Sequence, residues 1–258
     1  MSTRKERLEA GPGVRVEAVT YSGDIVVERG PTGFVDVEVR GGNPETYRIE
    51  QHGHVVSITP ESRRGRTRRF SSSNLVLTVP EDAELRLKTG SGDLFAHAPL
   101  ASVEGSVASG DIHIGTVLGD AHLKSASGDV YLDECRGDIR VNSASGDVRL
   151  GIMEGRVVTH SASGDVYVDR ACSTVTTRTA SGDVTVHELA GDGLEGKTLS
   201  GNVRVGIPPR RIVDVDLQSL SGELKNNLPR SAGSSGGTRR TLSIRLKTVS
   251  GNLYLDGA

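Results

Sequence analysis

The tripeptide Ser-Gly-Asp begins at Ser91, Ser109, Ser127, Ser145, Ser163 and Ser181, five successive intervals of 18 residues. A fixed period of this kind marks stacked supersecondary units, each of which rests on its neighbours. Looser copies follow at Ser200-Gly201-Asn202, Ser221-Gly222-Glu223 and Ser250-Gly251-Asn252, spaced 19, 21 and 29 residues apart in turn, and an early copy stands at Ser22-Gly23-Asp24. The long last interval contains a Gly/Ser-rich run at 230–240 with no apolar periodicity, which reads as an inserted surface loop.

Within each unit a weaker echo comes nine residues after the turn glycine, at Gly119-Asp120, Gly137-Asp138 and Gly155-Arg156, with Ser173 at the next such place. Each unit is therefore two half-turns. After the first bend the apolar residues alternate as Ile112/Ile114, Val130/Leu132, Val148/Leu150, Val166/Val168 and Val184/Val186. After the second they run Ala121/Leu123, Ile139/Val141, Val157/Thr159 and Val175/Thr177. A period of two means strands with one buried face. Two short strands cannot enclose a core alone, so the units must stack into two parallel sheets whose inward columns meet. The expected fold is all-β: a single-stranded β-solenoid of the parallel β-helix or β-roll type with 18-residue coils. Composition agrees, with 33 Gly in 258 residues and only 3% aromatic residues, a stock suited to tight turns and a core of small side chains.

Residues 13–89 are strand-rich but aperiodic and read as an N-terminal cap continuous with the solenoid, which then occupies residues 90–258 with its inserted loop near 230–240. Arg63, Arg64, Arg66, Arg68 and Arg69 crowd one loop of the cap region. The last strands, around Leu242-Ser-Ile-Arg-Leu-Lys and Leu253-Tyr-Leu, lie almost at the C-terminus with little to guard them. Self-association or partner docking is expected at this C-terminal edge.

Repeated Ser-Gly-Asp-Val with alternating Val, preceded by a strand-rich opening and the segment Leu75-Val-Leu-Thr-Val-Pro80, resembles the bacterial adhesin-like family of β-strand-repeat proteins, a domain of unknown function. The resemblance spans about Val14 to Leu255. It implies a β-solenoid, a bacterial source and no established catalytic residue to carry over.

The one regular constellation of ionisable groups is the Asp column: Asp93, Asp111, Asp129, Asp147, Asp165 and Asp183. At a strand spacing of about 4.8 Å, neighbouring carboxylates repel by roughly 0.9 kcal/mol in water. Two arrangements offset this. Backbone N–H groups of the same turn or the next coil can bond each Asp, with Ser donating and Gly taking a positive φ. Alternatively Asp111, Asp129, Asp147, Asp165 and Asp183 form a cation ladder, as in nonapeptide calcium rolls. Those rolls use Gly-Gly-x-Gly-x-Asp, whereas here Asp follows Gly directly, so turn chemistry is the expected reading and no metal or other cofactor is expected. An outward column of Phe95, His113, Tyr131, Arg149, Tyr167 and Thr185 suits cross-strand stacking better than a ligand platform.

Arg136-Gly137-Asp138 spells an adhesion tripeptide, but falls where the half-turn echo demands Gly-Asp. Cys135 and Cys172 fall roughly 10 Å apart on the sheet spacing, too far for a disulfide, and are expected as small core or near-core residues. His52 and His54 would share a strand face, with no further ligand to complete a metal site. The repeated serines have no periodic His to activate them, so no catalytic residue is assigned and no enzyme is expected. Charges of 31 Lys+Arg against 33 Asp+Glu remove the basic footprint of nucleic-acid binding. With no long apolar run and no signal-like opening, a cytoplasmic protein without a membrane segment is expected. The function that fits is a non-enzymatic scaffold or protein-interaction module with an unknown protein partner. The alternative is an adhesin-like surface for glycan or cation, with a carbohydrate-active β-helix enzyme behind it.

Overall fold

A computed structural model describes residues 2–61, 72–209, 211–228 and 241–258. The arginine-rich loop (Arg63, Arg64, Arg66, Arg68, Arg69) and the expected insertion at 230–240 lie outside the described residues. The chain divides into two compact units, 1–133 and 134–258. In both, each Ser-Gly turn joins a strand that precedes it to a strand that follows it, and the two kinds form two separate parallel sheets. The all-β solenoid read from the repeat is the fold observed. Its one helical element among the described residues is a 3-10 turn, Pro44–Thr46, and no helix is long and apolar enough to cross a membrane.

The second unit shows the coil most plainly. Its pre-turn strands are Ile139–Ser145, Val157–Ser163, Val175–Ser181, Gly193–Ser200, Thr241–Ser250 and Ile212–Ser221, in that spatial order. Register is exact: Ser145, Ser163, Ser181, Ser200, Ser250 and Ser221 are partners in succession. The post-turn strands run from Val148–Met153 through Val166–Ala171, Val184–Leu189, Val203–Ile207 and Leu253–Gly257 to Leu224–Asn226. Spatial order thus departs from chain order. The C-terminal coil at 241–257 is paired on both sides, and the outermost coil is 212–226. The strands expected to form the terminal edge are interior, and the edge belongs to a segment that precedes them in sequence.

The first unit has a similar exchange. Its order in the sheet of pre-turn strands is Ala121–Ser127, Ser102–Ser109, Glu84–Ser91, Arg15–Ser22 and Val55–Pro60, so the coil at 15–29 lies between the coil at 84–96 and the strands Val55–Pro60 and Asn74–Val79. Parallel stacking therefore begins within the stretch 13–89. Antiparallel strands finish this end: Phe34–Arg40 and Thr3–Glu9 on one sheet, Tyr47–His52 on the other.

Burial follows the alternation read from sequence. All the inward residues named above, from Ile112/Ile114 to Val175/Thr177, are buried. Beside the turn the inward column becomes polar, with Thr89, Ser125, Ser143, Ser161, Thr179 and Thr198 buried. Four of these hydroxyls donate to carbonyls of their own turn, Ser125 to Gly128, Ser143 to Ser145, Ser161 to Ser163 and Thr179 to Ser181, at 3.1–3.3 Å, and Thr89 donates to Gly23 of the neighbouring coil at 3.2 Å. The hydroxyl that braces the turn is thus the one two residues before the Ser-Gly-Asp serine. Where the chain bends, carbonyls cannot all join the ladder, and a short buried hydroxyl satisfies them.

Candidate functional site

The Asp column resolves into a hydrogen-bonded ladder. In the second unit Asp147 Oδ1 accepts the Asp165 backbone N–H at 3.0 Å, Asp165 Oδ1 that of Asp183 at 2.8 Å, and Asp183 Oδ1 that of Asn202 at 2.7 Å. It continues through Asn252 N–H to Asn202 Oδ1 (2.9 Å) and Glu223 N–H to Asn252 Oδ1 (2.8 Å). In the first unit the series Asn74, Asp24, Asp93, Asp111, Asp129 is built the same way, at 3.1, 3.0, 2.9 and 2.8 Å. Each carboxylate gains a charge-assisted bond from the neighbouring coil, which offsets the repulsion along the column. Asn serves in the ladder at positions 74, 202 and 252, so an amide oxygen suffices and the ladder does not depend on charge.

The second carboxylate oxygen is also engaged. Tyr131 Oη donates to Asp129 Oδ2 and Tyr167 Oη to Asp165 Oδ2, both at 2.9 Å; Arg149 donates to Asp147 Oδ2 at 3.1 Å, and Asn202 Nδ2 to Asp183 Oδ2 at 3.2 Å. His113 Nε2 stands 4.0 Å from Asp111 Oδ2. At Asp129, Asp147 and Asp165 the outward residue two places on is therefore the partner, a pairing the sequence shows only as Asp-x-Tyr and Asp-x-Arg. The bond from Asp165, with burial second, raises the Tyr167 pKa above that of a free phenol. Because the folded value is raised, this stabilisation is complete below the ordinary phenol range near 10 and is lost as pH rises through the raised value.

The outward aromatic column stacks. Phe95 and His113 lie 5.1 Å apart between ring centres at 13°, and His113 and Tyr131 4.5 Å apart at 5°. In the second unit the Arg149 guanidinium sits 5.5 Å over the Tyr167 ring. Rings stacked along the coil direction spend their faces on each other, so they offer solvent edges and not the open faces that a sugar platform needs.

The other candidates separate. Asp138 of Arg136-Gly137-Asp138 accepts the Arg156 N–H at 3.0 Å and Arg136 lies 3.5 Å from Glu134, so the tripeptide repeats the ladder at the half-turn. Cys135 is buried, but Cys172 is exposed, and neither is in a disulfide, which corrects the near-core reading of Cys172. The core column takes Met153, Ala171 and Leu189 in register, and Cys172, one residue past Ala171, turns outward. His52 and His54 do not share a strand face, because Gly53, with φ +62°, turns a hairpin between Tyr47–His52 and Val55–Pro60. Among the described residues no three His, Cys, Asp or Glu side chains group as metal ligands. A hollow of about 240 Å³ in the first unit is lined by Arg15, Glu84, Arg86, Glu104, Asp120 and His122, but Arg15 pairs with Glu84 at 2.7 Å and Arg86 with Glu104 at 2.9 Å.

Two catalytic spellings escape a search for periodic partners. Gly191-Asp192-Gly193-Leu194-Glu195-Gly196-Lys197-Thr198 fits the phosphate-loop consensus letter by letter. Its last six residues lie in the extended strand Gly193–Ser200, with no helix after it, and Lys197 pairs with Glu195 at 2.6 Å; no cradle of N–H groups forms. Gly233-Ser234-Ser235-Gly236-Gly237 spells a nucleophile elbow and lies outside the described residues.

The Toastrack DUF4097 family profile matches residues 16–256. The chain belongs to that family. Among solved structures, this toastrack chain is similar to a candidate adhesin from Parabacteroides distasonis, with 12% identity over 98% of this chain and 97% of that one and a TM-score of 0.56. It is also similar to a candidate lipid-binding protein from the same species, with 11% identity over 98% and 96% and a TM-score of 0.54. At these identities the likeness is one of fold. No curated protein matches the chain.

The ladder makes a sharp expectation. Asp165→Ala removes the acceptor of the Asp183 N–H and of the Tyr167 hydroxyl, and should cost about 1–3 kcal/mol. Asp165→Asn keeps an amide oxygen in place, as at Asn202, and should cost less than half as much. Chemical denaturation of the two variants beside the parent measures both; equal losses would show that charge, not the bond, matters at this place.

Proposed function

We propose that this toastrack protein is a non-enzymatic scaffold, a stack of coils that presents its outer faces and its terminal coil to protein partners. The observation that carries this reading is the engagement of the Asp column: Asp147 and Asp165 each use Oδ1 for the backbone N–H of the next coil and Oδ2 for a side chain, and among the described residues no general base is paired with a nucleophile beside them. A cytoplasmic setting belongs to the same proposal and is supported by two thiols outside any disulfide, one of them exposed. The adhesin-like alternative, favoured by the candidate adhesin among its structural relatives, requires the faces to take up glycan or cation. One experiment separates the two. Thermal unfolding of the intact chain with millimolar Ca²⁺, with EDTA and with a panel of soluble oligosaccharides should give one unchanged midpoint, because only a ligand that prefers the native state raises it. A midpoint that climbs with Ca²⁺ or with a sugar transfers the assignment to the surface-binding reading.

A further inference from the structure

The end of the second unit is built differently from its interior. Strand Ile212–Ser221 pairs on one side with Thr241–Ser250, and among the described residues nothing pairs with its other side. Its inward residues Val213, Val215 and Leu217 are half-exposed, whereas their register partners Leu242, Ile244 and Leu246 are fully buried. In the post-turn sheet Leu224 is 50% exposed beside a buried Leu253. The ladder stops here too: Glu223 gives its N–H to Asn252, but its own carboxylate pairs with Lys225 Nζ at 2.6 Å. A further parallel coil would find apolar contacts at this end and no ladder acceptor.

Resting on the scaffold reading, we propose that the occupant of this end is a second copy of the chain, joined by antiparallel pairing of Ile212–Ser221 with itself about a two-fold axis at Leu217. Two features select a two-fold dimer over a head-to-tail chain. The antiparallel strands that finish the first unit carry alternating charge on their outer edges, with Arg4, Lys5, Glu6, Arg7 and Glu9 in Thr3–Glu9 and Arg48, Glu50 and His52 in Tyr47–His52. Charged edges of this kind resist pairing with another chain. A self-complementary edge then closes on itself.

Charge selects the register. Residues directly opposite in an antiparallel pair share a face, and like charges placed so are destabilising. Centring the pair on Asp214, Val215 or Asp216 sets carboxylates of Asp214 and Asp216 against each other. Centring it on Leu217 places each Asp216 opposite Gln218 of the second copy, an amide that already donates to Asp216 within the chain at 3.0 Å. This register also pairs Val213 through Ser221, as long a stretch as any centre within the strand allows, and brings Leu217 against Leu217 on the inner face. A shift to Gln218 shortens the pairing and leaves Asp216 opposite Leu220.

The test is sedimentation velocity on the intact chain across the micromolar range, with two substitutions at an exposed side chain. The parent should dimerise. Gln218→Asp sets a carboxylate against Asp216 twice per dimer and should weaken association by about tenfold, while Gln218→Lys should tighten it. In a Cys172→Ser background, Leu217→Cys should cross-link to itself on oxidation, because residues facing each other across a strand pair meet disulfide geometry, and Val213→Cys should not. A chain that stays monomeric throughout, equal association of the two Gln218 variants, or cross-linking at Val213 but not at Leu217 overturns the proposal. None of these outcomes bears on the Ca²⁺ and oligosaccharide test by which the scaffold reading itself stands or falls.

Discussion

Val148→Asp should unfold or severely destabilise the coils around it, while Arg149→Ser, one residue on, should be close to silent. Val148 is 1% exposed and pairs in register with the equally buried Val166, facing the space between the two sheets. No cation or hydrogen-bond donor of a side chain has a place in that column of Val and Leu, so the new carboxylate must either lose its hydration or force the coil open. Such a fault costs several kcal/mol, about 3–5. Arg149 points to solvent, where it bonds Asp147 and lies over Tyr167. Losing an exposed bond and a cation–π contact costs about 1 kcal/mol or less. Urea titrations of the two variants beside the parent decide the matter; equal midpoints would reject the assignment of the two sheet faces.

Why so much of the fold could be read from sequence is visible in these two residues. An 18-residue period fixes register, and strict alternation fixes faces, so once the stack is inferred each side chain has a direction. The Ser-Gly-Asp turn was legible for the same reason. What the period could not convey is the order in which coils sit. The 212–226 and 241–257 segments both alternate apolar and polar residues and both carry a Ser-Gly turn, so either could have formed the end. Burial chooses between them: Leu242, Ile244, Leu246, Leu253 and Leu255 need neighbours on both sides, while Asp214, Asp216 and Glu223 do not suffer at a free edge. The exchange at the other end, where the coil at 15–29 lies between later segments, was hidden equally, since chain continuity is a weak guide when a loop can carry the chain past a neighbour.

The candidate site was legible in its members and not in its bonds. Six equally spaced Asp residues imply a column, but whether a column holds a cation or itself depends on which atom faces which. That Oδ1 points to the next coil's N–H and Oδ2 to a Tyr, Arg or Asn follows from the turn geometry, and the sequence signals it only through the residue two places after Asp and through the Asn that replaces Asp at 74, 202 and 252. The bracing hydroxyls of Ser125, Ser143 and Ser161 leave a trace as the first Ser of Ser-Ala-Ser-Gly-Asp. Cys172 was misplaced for a simpler reason: in a strand, an error of one residue exchanges inside for outside.

The same turn predicts the second large effect. Gly164 has φ +115°, a conformation that an L side chain rarely adopts, and a methyl group built on it would fall inside the van der Waals envelope of the Gly146 carbonyl oxygen in the adjacent coil. Neither fault can be relieved cheaply. Changing φ would swing Asp165 away from Asp147 and break the ladder bond at 3.0 Å, and widening the gap would lengthen the Val148 N–H bond to the Asp165 carbonyl and every strand hydrogen bond beside it. Gly164→Ala is therefore expected to cost about 3 kcal/mol or more, beyond the usual penalty of a strained backbone alone. Gly115 provides the control within the same repeat architecture, since its φ is ordinary and a methyl group there would meet only the Ala96 carbonyl oxygen at 3.6 Å, an ordinary contact. Gly115→Ala should be within about 1 kcal/mol of the parent. Because stacked coils fail locally as well as globally, hydrogen exchange is the sharper readout: in Gly164→Ala, protection should fall first at Asp165 and Asp183, the ladder donors on either side of the altered turn, and a uniform loss across the second unit would mean that the coils unfold as one body and not turn by turn.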